Sequence, residues 1–133
     1  MHTIFTIVNF DICDESIKLP HADIIVAADI MYEPKTGKAM AMRAMEALKQ
    51  NSRIIIADSP GRPGRINFLN ELKDSYGINN EFITYHGLKC SGYRNDLICG
   101  KNSTSISSSS DDDDSLENGL DIAIMDLNPN NVC

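Results

Sequence analysis

The chain has 133 residues, 42% of them hydrophobic, with 19 acidic and 12 basic side chains and a formal net charge of -7. Seven of the acids (Asp111 to Asp114, Glu117, Asp121 and Asp126) follow Lys101, the last basic residue, so the preceding body is neutral and offers no electrostatic footprint for nucleic acid or an anionic membrane. Cys13, Cys90, Cys99 and Cys133 form no C-x-x-C pair and His2, His21 and His86 no cluster, which argues against a zinc site. The longest apolar run is well short of the roughly 18 residues a membrane span requires, and MHTIFTIVNFD lacks the basic start and cleavage site of a secretory leader. A reducing compartment is expected: the cytoplasm, with the nucleus as the alternative.

Thr3 to Phe10, TIFTIVNF, is β-branched and aromatic and reads as a strand ending in Asp11, Asp14 and Glu15. After a loop through Leu19 and Pro20, Ile24 to Ala28 are apolar on consecutive positions, the pattern of a central parallel strand covered on both faces. Asp29 and Tyr32 follow at its carboxyl end, where open α/β sheets bind their ligands. Pro34 and Thr36 open a helix within 35–50, with Ala41, Ala44, Met45 and Leu48 as its core face and Lys38, Glu46 and Lys49 turned to water. Asn51 and Ser52 break that helix, and Ile54 to Ala57 form a second buried strand ending at Asp58. Two buried strands joined by one helix make a parallel, right-handed βαβ unit.

The loop Ser59 to Arg65 leads to a second helix over Ile66 to Tyr76, with Phe68, Leu69 and Leu72 inward and Gly77 as its cap. Phe82 to Cys90 reads as a strand near the sheet edge. Ser103 to Ser115, STSISSSSDDDDS, has too little apolar surface to offset chain entropy and is expected to be disordered. Leu120 to Leu127, LDIAIMDL, returns to strand composition and is read as the partner of Phe82 to Cys90 in a terminal hairpin; in the alternative, Asn95 to Cys99 is that partner. The domain organisation is 1–102 as the main body, 103–118 as a Ser/Asp-rich insertion, and 119–133 as a final strand and tail.

The order NFDICD, ADIIVAADIMYE, helix, RIIIADSPGR resembles the carboxyl half of a class I S-adenosylmethionine-dependent methyltransferase. More narrowly it is similar to the lysine methyltransferase-like branch, with its D-x-x-Y motif at Asp29 to Tyr32. The resemblance spans Ile4 to Leu88. It implies an α/β fold: part of a Rossmann-like, seven-stranded sheet with helices on both faces and a carboxyl-terminal antiparallel hairpin. Asp11 matches the acidic residue beside the cofactor's adenine, a suitable acceptor for the exocyclic amine. Ile12 stands where many relatives have tryptophan. Ala27 and Ala28 match the small positions facing the cofactor's sulfonium end.

Asp29 and Tyr32 match the pair that shapes the methyl-acceptor channel, where an amine must be oriented more than deprotonated; Glu33 is the next candidate. The turn from Asp58 departs from the family's D-P-G-R by inserting Ser59. It reads as a structural turn, with anion binding through Arg62 and Arg65 as the other possibility. No glycine-rich loop precedes Asp11. The reading is therefore a truncated methyltransferase-like domain, transferring methyl groups to a protein lysine in a full-length form, inactive as these residues alone, and binding S-adenosylmethionine weakly or not at all. The alternatives are a noncatalytic interaction module that self-associates or recruits a chain through an exposed sheet edge, and a phosphate-binding α/β hydrolase using Asp29 and the Gly61 turn.

Overall fold

The structure, a computed structural model, describes residues 4–88 and 120–132. Strand β1 (Ile24–Ala28) leads through helix α1 (Pro34–Lys49) to strand β2 (Arg53–Asp58), and helix α2 (Gly64–Tyr76) leads to strand β3 (Ile83–Leu88); strand β4 (Leu120–Leu127) closes the fold. The sheet is mixed, in the order β1-β2-β4-β3. β1 and β2 run parallel with Ala27 opposite Ile56, as the two apolar runs and their intervening helix predict. β4 is antiparallel to both neighbours, with Met125 opposite Ile56 and Ile83 opposite Ile124. The expected disorder of 103–118, the alternative strand Asn95–Cys99, and Cys90, Cys99 and Cys133 lie outside the described residues.

Both helices pack on one face of the sheet. There Ala27, Ile54, Ile56, Met125 and Leu127 meet Met40, Ala41, Ala44 and Ala47 of α1 and Phe68 and Leu72 of α2. Strand side chains alternate between faces, so residues of the other parity form a second surface, and among the described residues no helix covers it. Ile24, Val26, Ile83 and Tyr85 are exposed on it, and Ile55, Ala57, Ile122 and Ile124 are half-buried. This corrects the expectation that β1 is covered on both faces. A continuous apolar run permits two-sided burial without enforcing it, and β1 is an edge strand with one open face.

The strand expected at Thr3 to Phe10 is also corrected, since residues 4–10 adopt no strand. Ile4, Phe5 and Ile7 are 87%, 86% and 98% exposed. Their β-branched composition suits a strand, but a lone strand without a hydrogen-bonded neighbour is not stable in water.

α1 starts at Pro34, whose fixed φ and missing N–H suit a first helical position. Thr36 Oγ1 accepts the Glu33 N–H at 3.2 Å. Its buried face comprises Thr36, Gly37, Met40, Ala41, Arg43, Ala44 and Ala47, whereas Met45 and Leu48 are only partly buried, so the face is rotated from the expected one toward Met40 and Ala47. Arg43 is buried because the chain ahead of β1 wraps over α1 and presents carbonyls that need donors. Its guanidinium donates to the carbonyl oxygens of Ile12 (3.0 Å), Ile17 (2.8 Å) and Asp14, pairs with Glu46 at 2.7 Å, and lies 4.7 Å from the centre of the Phe10 ring. Glu46 in turn accepts the Leu19 N–H at 2.9 Å. One arginine thus pins residues 10–19 to the helix. α2 ends at Gly77, in the left-handed conformation at φ 69.

Candidate functional site

The site lies beyond the carboxyl ends of β1 and β2. Asp29 ends β1 with its N–H donated to Ala57 O at 2.9 Å, and it turns the chain through a left-handed φ of 51. Aspartate tolerates that conformation better than most residues. The turn aims its carboxylate at the loop after β2, where Oδ1 accepts the Ser59 N–H at 2.9 Å. Hydrogen bonding from Ser59, first its side chain and then its backbone, holds the Asp29 carboxyl below the usual carboxylate range, and Arg62 adds to this. Asp29 is therefore an ionised acceptor. It is not a base poised near neutrality.

Arg62 approaches Asp29 Oδ1 at 3.4 Å and stands 5.8 Å from the centre of the Tyr32 ring. The two motif residues therefore share one cation between them. Tyr32 is 58% exposed and the Asp29 side chain 51% exposed, so both remain open to solvent. A cationic amine approaching this pair meets a carboxylate and an aromatic face, and it competes with Arg62 for both.

Beneath them, Asp58 is buried at the end of β2. Its Oδ2 accepts from Arg65 Nε at 3.1 Å, while Oδ1 has no partner. Burial pushes the Asp58 carboxyl above its ordinary range, against the pull of Arg65. Arg65 also donates to the carbonyl oxygens of Asp58 (3.1 Å) and Ser59 (2.9 Å) and lies over the Phe82 ring at 4.9 Å. With its guanidinium so engaged, Arg65 ties the turn down. That is the structural reading of Asp58 to Arg65.

The other candidate residues are dispersed. Ile12 and Ala27 meet in a small apolar cavity of about 150 Å³, together with Phe10, Ile25, Met40 and Ile54. Ala28 lies on the opposite face of β1 from Ala27 and is exposed. Asp11 is exposed, and its Oδ1 accepts the Cys13 N–H at 2.8 Å, closing a turn. Small-molecule sites usually enclose about 300–1,000 Å³, and this cavity is smaller. Two larger open grooves of about 380 Å³ run along α1 and contain neither Asp29 nor Tyr32. Glu33 is exposed at the start of α1.

Arg43 and the buried Asp58 pairing with Arg65 were missed by the sequence reading. For Arg43 a signal existed, since it falls at helical spacing from Met40 and Ala47. For the Asp58 pair the only signal was seven-residue spacing across a proline-glycine turn, too weak to use.

No family model, curated protein or solved structure matches this chain. Among the described residues, no group of three or more His, Cys, Asp or Glu side chains is placed to hold a metal ion, and no helix is long and apolar enough to cross a membrane.

Proposed function

We propose that this chain is the acceptor-side part of a class I methyltransferase-like domain of the lysine methyltransferase-like branch, with Asp29 and Tyr32 facing a protein amine. The observation that carries the reading is the placement of these two residues. Both lie beyond the carboxyl end of a parallel strand, open to solvent, and one guanidinium already occupies the position between them. A lysine ammonium presents similar charge to the same two groups. The parallel β1-α1-β2 unit beside two antiparallel strands agrees with the later strands of the Rossmann-like sheet that the resemblance implies. In this reading Asp29 and Tyr32 bind the lysine and orient its nitrogen, which attacks only after the ammonium has released a proton to solvent. The cofactor, S-adenosylmethionine, would supply the activated methyl group.

The test is a nuclear magnetic resonance titration of the chain with a lysine-containing peptide. Shifts confined to Asp29, Tyr32, Arg62 and Ser59, and weakened in Asp29→Asn, are expected. Shifts elsewhere, or none at millimolar peptide, would remove the reading.

A second reading, a noncatalytic interaction module, is favoured by the open sheet face with Ile24, Val26, Ile83 and Tyr85 exposed on it. Under that reading the peptide titration leaves Asp29 and Tyr32 unmoved, and binding perturbs the sheet face.

A further inference from the structure

We propose that the partner of the β1 edge is a second copy of this chain, with residues 4–10 of each copy forming a strand along β1 of the other. Three observations meet at this edge. First, Asp29 N–H and Asp23 C=O point toward β2, bonded to Ala57 and Arg53. By strand alternation the N–H and C=O groups of Ile24, Val26 and Ala28 point away from β2, and no described backbone group bonds them. The edge is a template of three donors and three acceptors.

Second, residues 4–10 form an apolar arm rooted at that edge. Phe10 lies under Arg43 and lines the same small cavity as Val26, so the arm leaves the domain beside β1. Ile7, 98% exposed, touches almost nothing of its own domain. Arg43 fixes the segment after Phe10 through the carbonyls of Ile12, Asp14 and Ile17 and so anchors the arm's root. An arm fixed at its root, clear of its own body and strand-like in composition is suited to reciprocal exchange, which closes with two-fold symmetry.

Third, the chemistry of arm and edge matches. Neither 4–10 nor 24–28 contains a charged residue, so pairing brings no like charges together. Alternating arm side chains would fall on the two faces of the extended sheet. One row would close the apolar cavity beside Ile25 and Ala27, and the other would lie next to Ile24 and Val26. At roughly 60–120 Å² for each of Ile4, Phe5, Ile7 and Val8, two exchanged arms and the surface they cover remove about 1,000–1,900 Å² from water, within reach of a stable interface.

The experiment is sedimentation of the full chain with amide hydrogen exchange on the same samples. Wild type is expected to be a reversible dimer at tens of micromolar, with slow exchange at Ile24, Val26 and Ala28. Ile7→Asp disables the arm, and because Ile7 barely touches its own domain the monomer's thermal unfolding should be unchanged; dimerisation should weaken at least about tenfold and the three amides should exchange fast. Val26→Pro removes an outward N–H that β2 does not use, and should also give monomer. Mixing the two variants leaves one intact arm on one intact edge, so the mixture should associate more tightly than either variant alone and less tightly than wild type. Wild-type monomer up to several hundred micromolar, a dimer indifferent to Ile7→Asp, or a mixture that associates no better than either variant alone would overturn the proposal. So would concentration-independent protection of the β1 amides, which would place the arm on its own edge.

Discussion

Gly37 of α1 and Gly64 of α2 are in backbone contact: a Cβ on Gly37 would fall 2.0 Å from the carbonyl oxygen of Gly64. Gly64 is itself crowded, its absent Cβ directed at the carbonyl oxygens of Glu33 (2.4 Å) and Met31 (2.8 Å), and its N–H bonds Met31 O at 3.1 Å. The amino ends of both helices and the segment bearing Tyr32 therefore meet at a point that admits no side chain. Gly37→Ala is expected to cost about 1–3 kcal/mol or more through overpacking, against backbone that cannot yield. Chemical denaturation measures this. A variant as stable as wild type would mean that the helices separate freely.

Arg43 holds the chain ahead of β1 by three carbonyls and pairs with Glu46 on its own helix. Arg43→Ala is expected to destabilise by about 3–5 kcal/mol, because Glu46 loses its partner in a partly buried setting and the carbonyls lose their donors. Lysine cannot reproduce the fork. Arg43→Lys should therefore recover less than half of the loss, read as urea midpoints.

For the packing face of α1, Met40→Ala is expected to cost about 2–5 kcal/mol and Leu48→Ala less, since Met40 is 3% exposed and Leu48 only partly buried. Lys49→Ala, on the exposed side, should change little. Equal losses at Met40 and Leu48 would show that the helix is turned differently.

Much of the fold was legible because apolar runs and the Ala/Met period report directly on burial. Ile24 to Ala28, Ile54 to Ala57, the cap at Gly77 and the strand at Leu120 to Leu127 all follow from such patterns. The empty face of β1 was not legible, because five successive apolar residues look the same whether one face or two are covered. Residues 4–10 misled for a related reason: composition reports competence for a strand, and only a neighbour makes one. Asp29 and Tyr32 stood out by position after a buried strand. Arg62 entered only as an anion binder, because its place between them depends on how the turn after β2 folds back.

Asp58 governs a testable pH dependence. Burial raises its carboxyl above the ordinary value of 3.8, so the folded state binds its proton more tightly than the unfolded chain does. Its contribution to stability is fully present below the unfolded pKa and is lost as pH rises through the folded one. Asp29, Asp14 and Glu46 act in the opposite sense, since their carboxyls are lowered and their contributions are lost as pH falls through their folded pKa values. Asp58→Asn should remove the first effect, so that its urea midpoint rises relative to wild type as pH climbs from about 3 to 7. A constant difference would mean that Asp58 does not titrate as its burial requires.

Calorimetry with S-adenosylmethionine should detect no binding tighter than roughly 10 μM, about −7 kcal/mol, to the 133-residue chain. The cavity at Ile12 and Ala27 is small, and the Asp11 carboxylate is already engaged by the Cys13 N–H. Micromolar affinity would point to a site that the described residues do not form.

The position of β4 has a consequence for synthesis on the ribosome. The last described strand, β4, lies between β2 and β3, in the interior of the sheet. Until residues 120–127 emerge, β2 lacks one neighbour and β3 has none, while the β1-α1-β2 unit and its helical cover can already form. Translation therefore passes through a stage with an exposed interior ladder, and the described sheet is completed only after residues 120–127 are made. Slow codons or a stalled ribosome just ahead of residues 120–127 should lengthen that stage and draw chaperones to it.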